Sequence, residues 1–182
     1  MGRLQELARD LDADERTLRR AASQGAFRAR RLGPRRLRLD PGEDDYLRGH
    51  WELIAGLRRA LRTERGIRLA VLYGSVARGD EDADSDLDLL ISRAGGANGM
   101  ALYPRLQDVT GRRLDVAFLD RIEATAPLLL DRVLDEGRVL VDRDRLWPQL
   151  RERRRAVRAR ARRAHRRQIA AASRAIAELT GG

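Results

Sequence analysis

The fold is decided by the run Ile67-Arg68-Leu69-Ala70-Val71-Leu72-Tyr73-Gly74-Ser75-Val76-Ala77-Arg78-Gly79 and, with ten residues between it and Ser75, by Asp86-Leu87-Asp88-Leu89-Leu90-Ile91. Ile67 to Leu72 is an apolar run too short for an independent helix and suits a buried strand. It feeds into Gly74-Ser75, where a residue without a Cβ lets backbone approach a ligand closely. The amides after it, the Ser75 hydroxyl and the start of a following helix can then donate to phosphate oxygens. Alone, a Gly-Ser pair is also what an ordinary turn contains.

The second half of the stretch weighs more. Residues two apart on a strand point to the same side, so Asp86 and Asp88 share a face while Leu87, Leu89 and Ile91 enter the core. Two carboxylates that close repel each other, and a cation between them relieves the repulsion. Hard oxygen ligands with no His or Cys nearby select Mg²⁺. Arg113-Leu114-Asp115-Val116-Ala117-Phe118-Leu119 reads as a further strand with one acid in an apolar run. On a neighbouring strand, Asp115 completes a three-carboxylate cluster of the kind that clamps the attacking and leaving oxygens of a phosphoryl displacement. Taken singly, Asp86 also reads as a turn cap and Asp88 as an arginine partner; together with Gly74-Ser75 and Asp115 the acids favour a site. Arg78 reads either as a phosphate contact or as an ion-pair partner of Asp80 or Asp82.

The flanks differ in texture. The chain has 182 residues and a net charge of +10, and all of its basic residues are Arg. The absence of Lys fits a coding bias, but the surplus of positive charge still points to a polyanion. There is no cysteine, which excludes disulfides, zinc thiolate sites and thiol nucleophiles. No stretch reaches the roughly 18 apolar residues of a membrane span, and the first residues lack the apolar core of a secretory signal, so a cytoplasmic location is expected. His50 and His165 lie outside the acidic constellation and read as structural or solvated.

Before the strand, Leu4, Leu7, Ala8 and Leu11 recur at helical spacing, and Asp14 can cap a second helix from Glu15 to Ala22. Phe27 to Leu32 and Arg35 to Leu39 flank Gly33-Pro34 as two short basic strands. After a turn at Asp40-Pro41-Gly42, a helix is expected from Tyr46 to Thr63. At the far end, ten Arg and one Glu fall between Arg151 and Arg167. Leu146 to Leu179 reads as one long helix or two shorter ones, whose charges form either a solvated face or a docking face. The expected divisions are 1–48, 49–142 and 143–182.

Tyr73 to Gly79, Ser85 to Leu90, Gly111 to Val116 and Leu134-Asp135-Glu136-Gly137-Arg138-Val139-Leu140 together resemble the minimal nucleotidyltransferase (MntA-like antitoxin) branch of the DNA polymerase β superfamily. The likeness runs from about Leu53 to Asp142. It implies an α+β fold with a mixed sheet flanked by helices. It implies that Gly74, Ser75 and Arg78 contact the triphosphate of ATP or another NTP. Asp86, Asp88 and Asp115 bind Mg²⁺ on this reading, with Asp115 also helping to deprotonate a hydroxyl. It further implies transfer of NMP, AMP in the antitoxin branch, to a tyrosine on a HEPN-type ribonuclease toxin; other relatives modify antibiotics or RNA ends.

Leu7 to Arg20 resembles the excisionase- and MerR-like winged helix-turn-helix modules, with Asp12 where such turns usually have Gly. That likeness implies DNA contacts from Arg16, Arg19 and Arg20 on the second helix and from Arg35 and Arg36 on the wing. The acids at the start of that helix oppose phosphate, and a small helical cap that binds nothing is the competing reading. The alternative function for the whole chain is a DNA-binding transcriptional regulator whose nucleotidyltransferase fold senses nucleotide or serves as a scaffold.

Overall fold

The computed structural model describes residues 3–33, 36–94 and 102–180. Arg35, one of the expected wing contacts, lies outside them.

The N-terminal part is built from α1 (Arg3–Asp10), α2 (Glu15–Ser23) and an antiparallel hairpin of β1 (Ala29–Arg31) and β2 (Leu37–Leu39). Asp14 caps α2 by accepting from the Arg16 amide at 2.5 Å, as a short acid at that position should. Asp12 sits between the helices with φ 45, a left-handed conformation that Asp tolerates better than most residues.

Helix α3 (Glu43–Thr63) starts three residues before the expected Tyr46. Gly42 breaks the preceding turn with φ 76, and Glu43, Asp44 and Asp45 fill the first turn, where the helix dipole favours acids. The division at 48/49 falls within this helix. Leu47, Trp51, Ile54, Leu57 and Leu61 form its buried stripe and join Leu7, Leu18 and Phe27 in one apolar cluster.

The sheet follows. β3 (Ile67–Tyr73), β4 (Leu87–Arg93), β5 (Leu114–Phe118) and β6 (Arg138–Asp142) stand in the order β5-β4-β3-β6, with only β4 and β5 parallel. The sheet is therefore mixed. β3, β4 and β6 are mostly buried, while β5 at the far edge is half-buried with Asp115 exposed. Ala70, Leu72, Leu87, Leu89 and Ile91 pack with α3 and with Leu106 of α5 (Leu102–Thr110). Leu69, Val71, Tyr73 and Leu90 pack on the other side against α6 (Leu119–Thr125), α7 (Pro127–Glu136) and α8 (Leu146–Glu152).

Strand β6 is an edge, and the N-terminal part covers it. The Val139 amide donates to Gly25 O at 2.9 Å, and Arg58 donates to Val139 O at 3.0 Å. Unpaired edge groups invite association, so these bonds both satisfy the strand and tie the two parts together.

The C-terminal segment is two helices, α8 and α9 (Arg154–Thr180), broken at Arg153. Asp142 caps α8 through the Leu146 and Trp147 amides at 2.9 and 3.1 Å. Val157 and Ala161 bury the first turns of α9. Arg158 pairs with Asp131 and Asp135 of α7 at 3.3 and 2.6 Å. Among the described residues, no helix is long and apolar enough to cross a membrane.

Candidate active site

Strand β3 ends in Tyr73, and the chain turns at once into α4 (Gly74–Arg78). The turn needs its glycine. Gly74 has φ +77, and a Cβ there would lie 2.0 Å from Asp88 Oδ2. The same Gly that opens the loop thus leaves room for the carboxylate opposite. Ser75 is half-buried and open to approach.

Register brings the acids together. Asp88 of β4 stands opposite Tyr73 on one side and Asp115 of β5 on the other. Direct partners across a ladder point to the same face, and Asp86, just before β4, lies near enough for its charge to bear on Asp88. This is the face on which Tyr73 packs with α7. Burial, first, and then the charges of Asp115, Asp86 and Glu136 push the Asp88 carboxyl above its ordinary range, with Arg78 opposing them. The Tyr73 phenol is pushed up to about 12 by burial and by Asp88 and Asp115, so it stays protonated at neutral pH. Asp115 is exposed. One oxygen of Asp86, Oδ1, is shielded from solvent and has no hydrogen-bond partner. The Arg113 guanidinium lies 2.9 Å from that oxygen, close enough for an ion pair but not aligned as a hydrogen bond.

Among the described residues, no group of three or more His, Cys, Asp or Glu side chains is gathered tightly enough to hold a metal ion as it stands. The donor chemistry of the three acids nonetheless suits a divalent ion: oxygen ligands only, one of them shielded from solvent with no hydrogen bond, and one carboxyl destabilised by burial and its neighbours' charge.

Two residues not assigned roles from the sequence complete the site. Glu136, at the end of α7, accepts the Gly74 amide at 2.9 Å on Oε1. Its Oε2 accepts from Arg78 at 2.9 Å. Arg78 also donates to Asp80 at 3.0 Å, so it is held in two ion pairs. Arg138 backs the loop from below. It donates to Ala77 O at 2.6 Å, lies 3.3 Å over the Tyr46 ring, and forms a buried ion pair with Glu43. Tyr46 in turn donates to Val76 O at 3.0 Å. His50 stacks on Tyr46 and bonds Glu81 at 2.6 Å, a structural position. His165 is exposed on α9.

The polymerase beta nucleotidyltransferase family model matches residues 56–146. The chain belongs to this nucleotidyltransferase family. The match takes in the whole four-stranded sheet, Gly74-Ser75 and all three acids. A Methanocaldococcus jannaschii protein named as a putative protein adenylyltransferase is 33% identical over 77 residues, spanning 41% of this chain and 80% of the relative. Two crystal structures share the fold. One is of a toxin–antitoxin with AMP-PNP and the other of a mutant toxin–antitoxin MntA-HpeT. Each aligns at a TM-score of 0.53 and 15% identity, over 66% of this chain and 98% of the other. The nucleotidyltransferase is thus an enzyme with an appended helical and hairpin part before its sheet and a basic helix after it.

The remaining expected contacts lie apart from this site. Arg16, Arg19 and Arg20 of α2 line one cleft with Arg31 and Arg36 of the hairpin, about 690 Å³ in volume. Arg19 donates to Glu15 at 2.7 Å within α2. The acids at the start of that helix are therefore partly engaged within it.

Proposed function

We propose that this nucleotidyltransferase moves AMP from ATP to a hydroxyl on a protein acceptor, as the antitoxin of a toxin–antitoxin pair whose toxin is of the HEPN type. The observation that carries the reading is the pairing of Asp88 with Asp115 beside the Gly74-Ser75 turn, with Asp86 just before the same strand. The archaeal relative's name supports adenylylation of protein, and the sequence resemblance supports the antitoxin role.

In the reaction, the acceptor oxygen attacks the α-phosphorus, the bond from that phosphorus to the bridging oxygen breaks, and pyrophosphate leaves. Asp86, Asp88 and Asp115 would hold Mg²⁺, which neutralises phosphate charge and polarises the attacking and leaving oxygens. Asp115, the exposed acid, takes the hydroxyl proton. Ser75 and the amides of α4 bind the phosphate tail, with Arg78 beside them. Arg138 and Tyr46 fix the carbonyls of the α4 loop so that its amides face the site. Incubation of the protein with α-³²P-labelled ATP, Mg²⁺ and the product of the neighbouring gene tests the proposal. Label on that partner, absent with Asp86→Ala and Asp88→Ala, supports it; label that survives both substitutions sinks it.

A second activity is proposed for the N-terminal part, on the observation that five Arg side chains line one cleft between α2 and the hairpin. There Arg16, Arg19, Arg20 and Arg36 contact the DNA backbone, which suits an antitoxin that represses its own operon. Each phosphate contact adds about one to the slope of log affinity against log salt. Removing Arg20 and Arg36 together should lower that slope by about two on the protein's own promoter. An unchanged slope would leave the module as a cap on β6.

A further inference from the structure

Glu136 occupies the donors that a triphosphate needs. Its two carboxylate oxygens take the Gly74 amide and the Arg78 guanidinium, each at 2.9 Å. The side chain is 12% exposed, so this is a packed contact and not a surface encounter. A carboxylate is the protein's own analogue of a phosphate oxygen pair: planar, anionic and able to accept from an amide and a guanidinium together. Its charge also bears on Asp88, as do those of Asp86 and Asp115, making it a fourth negative group beside the turn.

We propose that Glu136 is a built-in competitor for the phosphate-binding donors and so sets the affinity of this enzyme for its nucleotide. The proposal rests on the reading of Gly74 and Arg78 as triphosphate contacts. An incoming triphosphate and the Glu136 carboxylate, both anionic, compete for the Gly74 amide and the Arg78 guanidinium. Entry of nucleotide therefore displaces Glu136. Arg132 lies one turn earlier on α7, where i and i+4 side chains are neighbours. It is exposed and makes no ion pair among the described residues. Its charge is felt at the Tyr73 phenol, as is that of Glu136, so both α7 side chains face the same end of β3. Arg132 is the natural landing place for the displaced carboxylate. The donors stay satisfied in the free enzyme, and nucleotide affinity is scaled down to the fraction of time Glu136 leaves them free.

A simpler alternative is that Glu136 merely fastens α4 to α7. The two ideas differ in sign. Calorimetric titration with AMP-PNP and Mg²⁺ should show Glu136→Gln binding about tenfold more tightly than wild type, equivalent to ~1.4 kcal/mol. Adenosine, which lacks the phosphates, should bind both equally. Glu136→Ala, which removes the carboxylate without offering an amide, should also tighten AMP-PNP binding. Thermal unfolding of each variant confirms that it is folded. Weaker or unchanged AMP-PNP binding in folded variants overturns the proposal and leaves a fastening role. Failure of wild type and variants alike to bind AMP-PNP overturns the nucleotide reading beneath it as well.

Discussion

Substituting Gly74 by Ala adds a single carbon and should disable the site out of proportion to its effect on the fold. The new Cβ would lie 2.0 Å from Asp88 Oδ2 and 2.9 Å from its Cγ, on a backbone with φ +77. An ordinary contact begins near 3.4 Å, so the carboxylate oxygen must retreat by roughly 1.4 Å to restore van der Waals distance. The left-handed backbone costs about 1–2 kcal/mol for a residue with a Cβ. Pushing Asp88 off its rotamer costs about 0.5–1.5 kcal/mol more. The sum, about 1.5–3.5 kcal/mol, should lower the melting temperature by about 3–14 °C in a chain of this size. The effect on catalysis is larger. A displacement of about 1 Å at a catalytic group is worth about a hundredfold in rate.

Gly42→Ala is the control. Gly42 has φ +76 and nothing within 4 Å of the added carbon, so it bears the backbone strain alone. Circular dichroism melts and transfer of label from α-labelled ATP, measured on both proteins, separate the two costs. The reasoning is refuted if Gly74→Ala transfers within about threefold of wild type. It is equally refuted if Gly42→Ala loses as much activity as Gly74→Ala, since general strain would then account for both.

Two more outcomes follow from the geometry. Asp88 has its carboxyl raised above the ordinary range by burial and by Asp115, Asp86 and Glu136, so carrying its charge costs the metal-free fold stability at neutral pH. Asp88→Asn should therefore melt higher than wild type in EDTA while losing transfer. The gap should close as pH falls below the ordinary carboxylate range, where wild-type Asp88 is protonated in folded and unfolded chains alike; a gap independent of pH contradicts this. Glu43→Gln removes one partner of the buried pair with Arg138, whose side chains are 3% and 2% exposed. Denaturant unfolding should show a loss of about 3–5 kcal/mol, and a loss under about 1 kcal/mol would mean that Arg138 is held by Ala77 and Tyr46 alone.

The parts of the site that follow from local pattern were legible in the sequence. The apolar run ending in Gly74-Ser75 announces a strand entering a tight turn, and the alternation of Leu87, Asp88 and Leu89 puts Asp88 opposite the core-facing leucines; Asp86, expected on the same strand, lies just before it. Asp115 was legible as an acid in an apolar run, but its place beside Asp88 needs the parallel pairing of β4 and β5, which no local pattern states. Glu136 shows the limit. It meets Gly74 across 62 residues of chain, through the packing of α7 on β3. A Glu at the end of a helix before Gly137 carries no mark of that contact. Glu43 and Arg138 meet across 95 residues, and each looks like surface charge until the core closes around both. The arginine-rich tail divided at Arg153 because α8 turns to bury Trp147 and Leu150, a tertiary demand that helix propensity does not contain.

Divalent-ion binding tests the central claim without any acceptor. Mn²⁺ titrated into the protein with AMP-PNP, and followed by the loss of the free-ion electron paramagnetic resonance signal, reports how tightly the acids converge. The account predicts saturable binding in the wild type that weakens by at least about tenfold in each of Asp86→Ala, Asp88→Ala and Asp115→Ala. Affinity unchanged in all three would mean that these carboxylates do not act on one ion.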